Sequence, residues 1–430
     1  MDIAQLLDIL RCPDSGERLS LGEGVLTSST SQYDIINPQL ACFYPNGAIT
    51  RLQWGSKIKQ FLNTEREHLK KLQQLAQNCE HASSRKRISL QHEARHKNLA
   101  VMQKMLASWI PDNSLPLSQS TQQIESYFEL FFRDWCWGDE LRPYAEYCTS
   151  AVATTGAERI LVLGSGAGGL SYHLANAQAD SAVISIEHNP FLALASSHIM
   201  QGKSLKLHEY SLYPSKLENS SKKWEIKQPP LEHNNHIQLL ATYPFLPFAE
   251  KSFDLIIAPW FFDILDIGFD DAVRASTQFL KAEGKLLFMG PANVHKPHYD
   301  EQYCSDEMRE LFKRSFSSVE TKQQTLPYLA NPRASQSRME NVMFVEASGP
   351  SFASLSKEAS PSDTLHYTPE LQQYKLKTAT IHQILSHIDQ SITVGELADM
   401  LVTQFGFEES ESAHYAMAFI AEIRSGITPD

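Results

Sequence analysis

Several features that would assign a chain to a specialised class are scarce or missing here. The six cysteines, at 12, 42, 79, 136, 148 and 304, form no CxxC pair. That excludes the usual signature of a zinc clip or a disulfide framework and leaves reduced thiols as the expectation. No apolar run approaches the ~20 residues of a membrane-spanning helix, and the start, MDIAQLLDILRCPDSGERL, carries acids where a signal peptide is basic. No membrane partner and a cytoplasmic location are expected. Basic charge is also short: 38 Lys and Arg against 50 Asp and Glu give a formal charge of −12, which opposes binding to a phosphate backbone. Nucleic acid is therefore not an expected partner.

What is present points to a ligand site. The 430 residues suffice for two or three domains. ILVLGSGAGGLSYHLA, residues 160 to 175, reads as a buried strand, a glycine turn and the start of a helix. Glycines permit backbone conformations that a Cβ hinders and let a ligand approach the unpaired amides at a helix N-terminus. Gly164, Gly166 and Gly169 fit GxGxxG, the dinucleotide pattern, while Gly164, Gly166 and Gly168 fit GxGxG equally well. The next strand, 182 to 186, leads to Glu187, nineteen residues after Gly168 and able to accept hydrogen bonds from ribose hydroxyls. That acid suits both patterns. A glycine turn that merely packs a helix onto a sheet is the bland alternative.

Further along, LPFAEKSFDLIIAPWFFDIL at 246 to 265 predicts a buried parallel strand that delivers PWFFD to the ligand-binding edge of the sheet. Strands are also expected at 284 to 291, 325 to 328 and 341 to 346, the last two as a pair closing the sheet. Before the turn, 58 to 109 has helical periodicity, and SSRKRISLQHEARHK within it reads as a solvated helix face. YFELFFRDWCWGDELRPYAEYC then forms an aromatic helix, either a lid offering Arg133, Trp135 and Trp137 to a ligand or a packing element. The polar stretch 203 to 236 reads as a long loop or insertion.

Four motifs in order resemble the class I S-adenosylmethionine-dependent methyltransferases over roughly residues 128 to 347: VLGSGAG, SIEHN, LPFAEKSFDLIIA and GKLLFMGP. The resemblance implies an α/β fold, a Rossmann-like methyltransferase sheet with helices on both faces. It implies S-adenosyl-L-methionine as cofactor, with Gly164, Ser165, Gly166 and Gly168 lining its methionine end and Glu187 on its ribose. His188, Thr242, Tyr243 and Pro259 complete the expected cofactor set. Where many members place an acid before LPF to hold adenine, this chain has Thr242 and Tyr243, so a hydroxyl, a backbone carbonyl or stacking is expected instead.

Trp260 and Phe261 could wall an acceptor or face its cationic group, and Asp263 could orient an amine or take its proton. Trp260 and Asp263 are the expected catalytic residues, with helix capping and plain packing as their ordinary alternatives. His295 and His298 with Asp300 or Cys304 have metal-binding composition, but Pro297 denies HxxH a helical frame. No metal is expected. A loop over the acceptor, with His295, His298 or Tyr299 touching substrate, is the preferred reading.

LLDILRCPDSGERL resembles the small zinc-ribbon-like domain that accompanies some methyltransferases, but Cys12 lacks a second cysteine at the right spacing, so a degenerate copy without zinc is expected. The organisation expected is a small β-rich domain at 1–55, a helical segment at 56–120, the S-adenosylmethionine-binding domain at 121–347, a linker at 348–363 and a helical C-terminal domain at 364–430. In that last unit Thr393 and Glu396 have capping-box spacing. Seven acids against Arg424 alone from 391 onward argue against DNA reading. Dimerisation, giving a homodimer, or substrate presentation is its expected role.

The RDW-containing helix ahead of the glycine loop resembles carnosine N-methyltransferases, which act on a histidine-containing dipeptide. A small amino-acid-like or peptide acceptor, methylated at nitrogen, is the first choice. An NAD-dependent oxidoreductase and a catalytically silent scaffold of the same fold are the alternatives.

Overall fold

A computed structural model describes residues 1–13, 15–29, 31–43, 49–110, 127–265, 267–294, 301–351, 364–366, 391–405, 412–413, 415–417 and 419–420. The first short strands are β1 (Ser20–Leu21), β2 (Val25–Thr27), β3 (Gln32–Asn37) and β4 (Leu40–Cys42). Two long helices follow, α1 (Ile49–Asn78) and α2 (Ala82–Met105), then α3 (Tyr127–Trp135) and α4 (Arg142–Thr155). The central run is β5 (Arg159–Leu163), α5 (Gly169–Ala177), β6 (Ala182–Glu187), α6 (Pro190–Met200), β7 (Leu205–Tyr210), β8 (Ser221–Ile226), β9 (His236–Leu240) and β10 (Phe253–Pro259). It continues with α7 (Phe269–Thr277), β11 (Leu280–Pro291), β12 (Asn293–Val294), β13 (Tyr303–Cys304), α8 (Ser305–Ser315), β14 (Phe316–Pro327) and β15 (Met339–Pro350). Last come β16 (Thr364–His366), β17 (Ser391–Thr393) and α9 (Val394–Phe405).

Eleven strands make one sheet, in the order β1-β2-β3-β4-β9-β6-β5-β10-β11-β15-β14. β9, β6, β5, β10 and β11 are mutually parallel, whereas β15 runs antiparallel to both β11 and β14. Counted from β5, the order is 3-2-1-4-5-7-6 with the seventh strand reversed. This is a mixed α/β sheet with a parallel core, matching the methyltransferase Rossmann-like fold. A dinucleotide sheet instead runs 3-2-1-4-5-6.

Alternation along β5 explains the layers. Leu161 and Leu163 enter a core with α7 and α8, while Ile160 and Val162 enter another with α4 and α5. A third core joins α1, α2, α3 and α6 to the β4–β9 margin and the β7–β8 hairpin.

Three segments differ from the sequence reading. The N-terminal strands do not stand apart, because β4 pairs in parallel with β9 and carries the sheet outward. Helix α1 begins at Ile49. The stretch read as a long loop or insertion at 203 to 236 holds the β7–β8 hairpin, whose antiparallel register runs from Leu205↔Ile226 to Tyr210↔Ser221. α2 is mostly solvated, as its composition suggests, but Arg95 turns inward to a bidentate contact with Glu65 of α1, both side chains under one tenth exposed. The expected cap is present: Glu396 N–H donates to Thr393 Oγ1, and Thr393 N–H to Glu396 Oε2. No helix among the described residues is long and apolar enough to cross a membrane.

Candidate functional site

The strand order reverses between β5 and β10, and open α/β sheets bind ligands at the carboxyl ends of such a pair. Here the glycine turn leaves β5 and Pro259–Trp260–Phe261 leave β10. Gly164 has φ +64°, a conformation side chains rarely adopt, and a Cβ on it would stand 2.4 Å from Phe261 Cδ2. A Cβ on Gly168 would meet Met200 and Ser196 of α6 at 2.8 Å, and one on Gly169 would meet Asp134 Cβ at 2.7 Å. At Gly166 the nearest atom would be Leu130 Cδ1 at 3.8 Å. Room therefore remains beside Gly166, and protein closes the other three positions.

Carboxylates take the turn's amides. Glu187 Oε2 accepts from Gly166 N–H at 2.8 Å, and Oε1 accepts from His188 N–H and Asn189 N–H, each at 2.9 Å. Burial pushes the Glu187 carboxyl up to about 7, against these three bonds, which favour the anion. Asp134 Oδ2 accepts from Gly169 N–H at 3.0 Å at the first turn of α5. Its Oδ1 takes both Arg133 Nε and an Arg133 terminal nitrogen at 2.8 Å. Burial pulls the Arg133 pKa down, but the Asp134 charge and hydrogen bond, with the Tyr328 and Glu140 charges, together outweigh it, so the guanidinium is held. Sequence reasoning offered Arg133 to a ligand; the structure spends it on Asp134.

α3 is pinned onto the turn at several points. Trp135 Nε1 donates to Ala167 O at 3.0 Å, and Phe128 and Phe131 pack edge-on against Phe191. Trp137 Nε1 turns to Glu209. Ser165 is buried, its Oγ donating to Gln238 Oε1 at 3.2 Å. Asn189 caps α6 through Oδ1, while its buried Nδ2 has no hydrogen-bond partner among the described residues.

His188 is held from two sides. Trp54 Nε1, a donor only, reaches His188 Nε2 at 3.2 Å, so the neutral ring carries its proton on Nδ1, which faces Thr242 Oγ1 at 3.3 Å. Desolvation, then the nearby Lys57 charge, lowers its pKa even though part of the residue reaches solvent. Thr242 thus stands with His188. Tyr243 does not offer its hydroxyl, which donates to Ala272 O, and its ring meets Phe261 edge-on at 5.3 Å. Burial holds that phenol protonated. Trp54 was invisible to sequence reasoning because it lies in α1, far along the chain.

On the β10 side, Pro259 ends the strand opposite Met289, and Trp260 takes φ +50°, a costly conformation for an aromatic residue. Its ring lies 4.0 Å from that of Tyr328, centroid to centroid. Asp263 sits in the short helical turn Phe262–Ile264, and its charge reaches Tyr328, whose phenol burial pushes up. Trp260 and Asp263 are therefore brought together around a residue read only as a strand end. His295, His298, Tyr299 and Asp300 lie outside the described residues. Cys304 caps α8, its N–H donating to Glu307 Oε2. Among the described residues no group of three His, Cys, Asp or Glu could hold a metal ion, and Cys12 instead lies 3.1 Å from the Tyr33 hydroxyl.

Two surface clefts, of about 250 and 600 Å³, share Asp134, Gly138 and His173. Neither is lined by the 164–168 turn or the segment after β10, so strand order and carboxylates, not cleft volume, locate the site.

No protein-family profile and no curated protein matches the sequence. Among solved structures, the chain is similar to a SAM-dependent methyltransferase from Aquifex aeolicus, at 12% identity over 53% of this chain and 100% of that one, TM-score 0.32. It is also similar to a precorrin-6y C5,15-methyltransferase from Geobacter metallireducens, at 12% identity over 47% and 88%, TM-score 0.28.

Proposed function

We propose that the chain binds S-adenosyl-L-methionine at the Gly166–Glu187 end of the turn and methylates a small amino-acid-like or peptide acceptor at nitrogen. The observation that carries this reading is the placement of two carboxylates. A dinucleotide needs the helix N-terminus and turn amides for its pyrophosphate, but Asp134 takes the Gly169 amide and Glu187 the Gly166 amide. An anion would meet those carboxylates; a sulfonium cation is attracted to them. The reversed strand β15 also speaks against the oxidoreductase alternative.

The residues suit the ligand's ribose. Glu187 spends three of its roughly four lone-pair positions on backbone N–H groups, leaving one for a hydroxyl. Asn189, whose backbone N–H donates to Glu187, also carries a buried side-chain donor, Nδ2, with no partner among the described residues. When bound, S-adenosyl-L-methionine supplies an electrophilic methyl group and leaves as S-adenosylhomocysteine. The protein's part is to bind the acceptor, exclude water and take a proton from the nitrogen. Trp260 and Tyr328 wall the acceptor, and Asp263 receives that proton.

Calorimetric titration with S-adenosylhomocysteine and NAD in parallel tests the reading: binding of the first alone is expected, and binding of NAD alone refutes it. One contact favours the silent scaffold as the second reading, namely Phe261 pressed on Gly164. S-adenosylhomocysteine binding without turnover on any amine or peptide would select it.

A further inference from the structure

The eleven-stranded sheet ends differently at its two margins. At one, β1 is only two residues long, and so short an edge offers little to pair with. At the other, β14 runs for twelve residues, Phe316–Pro327, about twice the usual strand length. Its register with β15 continues without a bulge to Pro327↔Met339, and among the described residues no other strand pairs with it. Alternate N–H and C=O groups along its outer side therefore face away from the sheet. Residues 320 to 325 are all exposed, so both faces of the strand are open to solvent there.

Long edges are commonly guarded by a proline, a bulge or an outward lysine. Pro327 comes only at the end of β14. Lys322 does not stand guard: its ammonium lies 4.6 Å from the centre of the Tyr147 ring of α4 and 5.1 Å from that of Phe344. Phe344 is the β15 residue directly opposite Lys322, so the lysine leans inward, away from the free side. Glu320, two residues earlier, lies on the same face. Its carboxylate has neither a hydrogen bond nor an ion pair among the described residues.

We infer that β14 is a dimer interface: two copies of this chain join edge to edge, β14 antiparallel to β14, about a two-fold axis at Thr321. That axis sets Glu320 against the partner's Lys322 and Lys322 against the partner's Glu320, two opposite-charge pairs across neighbouring strands. The lysine's flexible stem lets its ammonium swing from the rings to the carboxylate. No other register does so. An axis at Glu320 or at Lys322 opposes like charges, and an axis between two residues opposes side chains from opposite faces of the sheet. Ser317, Ser318, Val319, Gln323, Gln324 and Thr325 complete the pairing with no charge among them. The junction needs neither the C-terminal unit nor methyl transfer.

Sedimentation velocity on the full chain at micromolar concentration tests this. The parent is expected to be a dimer. Lys322→Glu sets acid against acid at both crossings, and Glu320→Lys sets base against base; each alone should dimerise about tenfold or more weakly. Mixed in equal amounts, the two variants should recover the dimer, because every crossing then pairs an acid with a base. Circular dichroism checks that each variant folds. If Lys322→Glu does not, Glu320→Lys decides, compared with Glu80→Lys, which makes the same charge change at an exposed position between α1 and α2. A monomeric parent overturns the inference, as does a dimer that Glu320→Lys leaves undiminished, since it would lie on another surface. Single variants that weaken the dimer but do not recover it on mixing overturn the pairing about Thr321.

Discussion

Replacing Glu187 by glutamine separates ligand binding from folding. In the folded chain the amide oxygen can occupy the Oε1 position and keep the His188 and Asn189 N–H bonds, but its NH2 then faces Gly166 N–H. One unmet donor costs about 1–3 kcal/mol. Against this, the wild-type carboxyl is raised from 4.5 to about 7 by burial, so its ionised form costs about 3 kcal/mol at neutral pH. The two effects largely offset, and urea midpoints of variant and parent should lie close together at pH 8.

The sign of the pH dependence follows from that raised pKa. The folded state binds more protons than the unfolded one between pH 4.5 and about 7, so this group's stabilisation is complete below pH 4.5 and lost as pH rises through about 7. The variant lacks that slope. Binding behaves oppositely, because a ribose hydroxyl donates to the anion: wild-type affinity for S-adenosylhomocysteine should fall as pH drops below about 7. At pH 8 the variant should bind roughly ten- to 150-fold more weakly, the loss of one charge-assisted hydrogen bond. Calorimetry across pH checks both. Equal affinity in variant and parent, or identical pH profiles, would refute the assignment of Glu187 to the ligand.

Gly164→Ala should lose about 2–4 kcal/mol in urea denaturation, from left-handed strain plus the Phe261 clash, whereas Gly166→Ala should lose only about 1 kcal/mol, from strain alone; equal losses would contradict the packing. Arg95→Met strands Glu65 without its partner and should cost about 3–5 kcal/mol, largely recovered in the double variant with Glu65→Leu, as thermal unfolding would report. Trp54→Phe removes the donor that holds His188 Nε2 in its neutral form, so the His188 pKa, followed by NMR, should rise; no change would sever α1 from the site.

Legibility in the sequence tracked locality. The β5–turn–α5 unit could be read because strand period, glycine spacing and helix onset all lie within twenty residues. The Thr393–Glu396 cap could be read for the same reason. β14 could be read only at its end, from Thr325 on: FSSVETKQQ before it is almost wholly exposed and, among the described residues, pairs with β15 alone, so no apolar alternation marks it. The β7–β8 hairpin was hidden likewise, since Lys, Ser and Glu on its outer face resemble loop composition.

The sequence by itself determined four of the parallel core strands, β5, β6, β10 and β11, the glycine turn and the acid at 187, because each is a short-range pattern imposed by backbone geometry. Only the tertiary structure decided which groups meet there. It brought Asp134 to the α5 amides, Trp54 to His188, Phe261 to Gly164 and Tyr328 to Trp260. Those partners come from separate elements of the chain, and no local spacing encodes a contact that exists only once the sheet has closed.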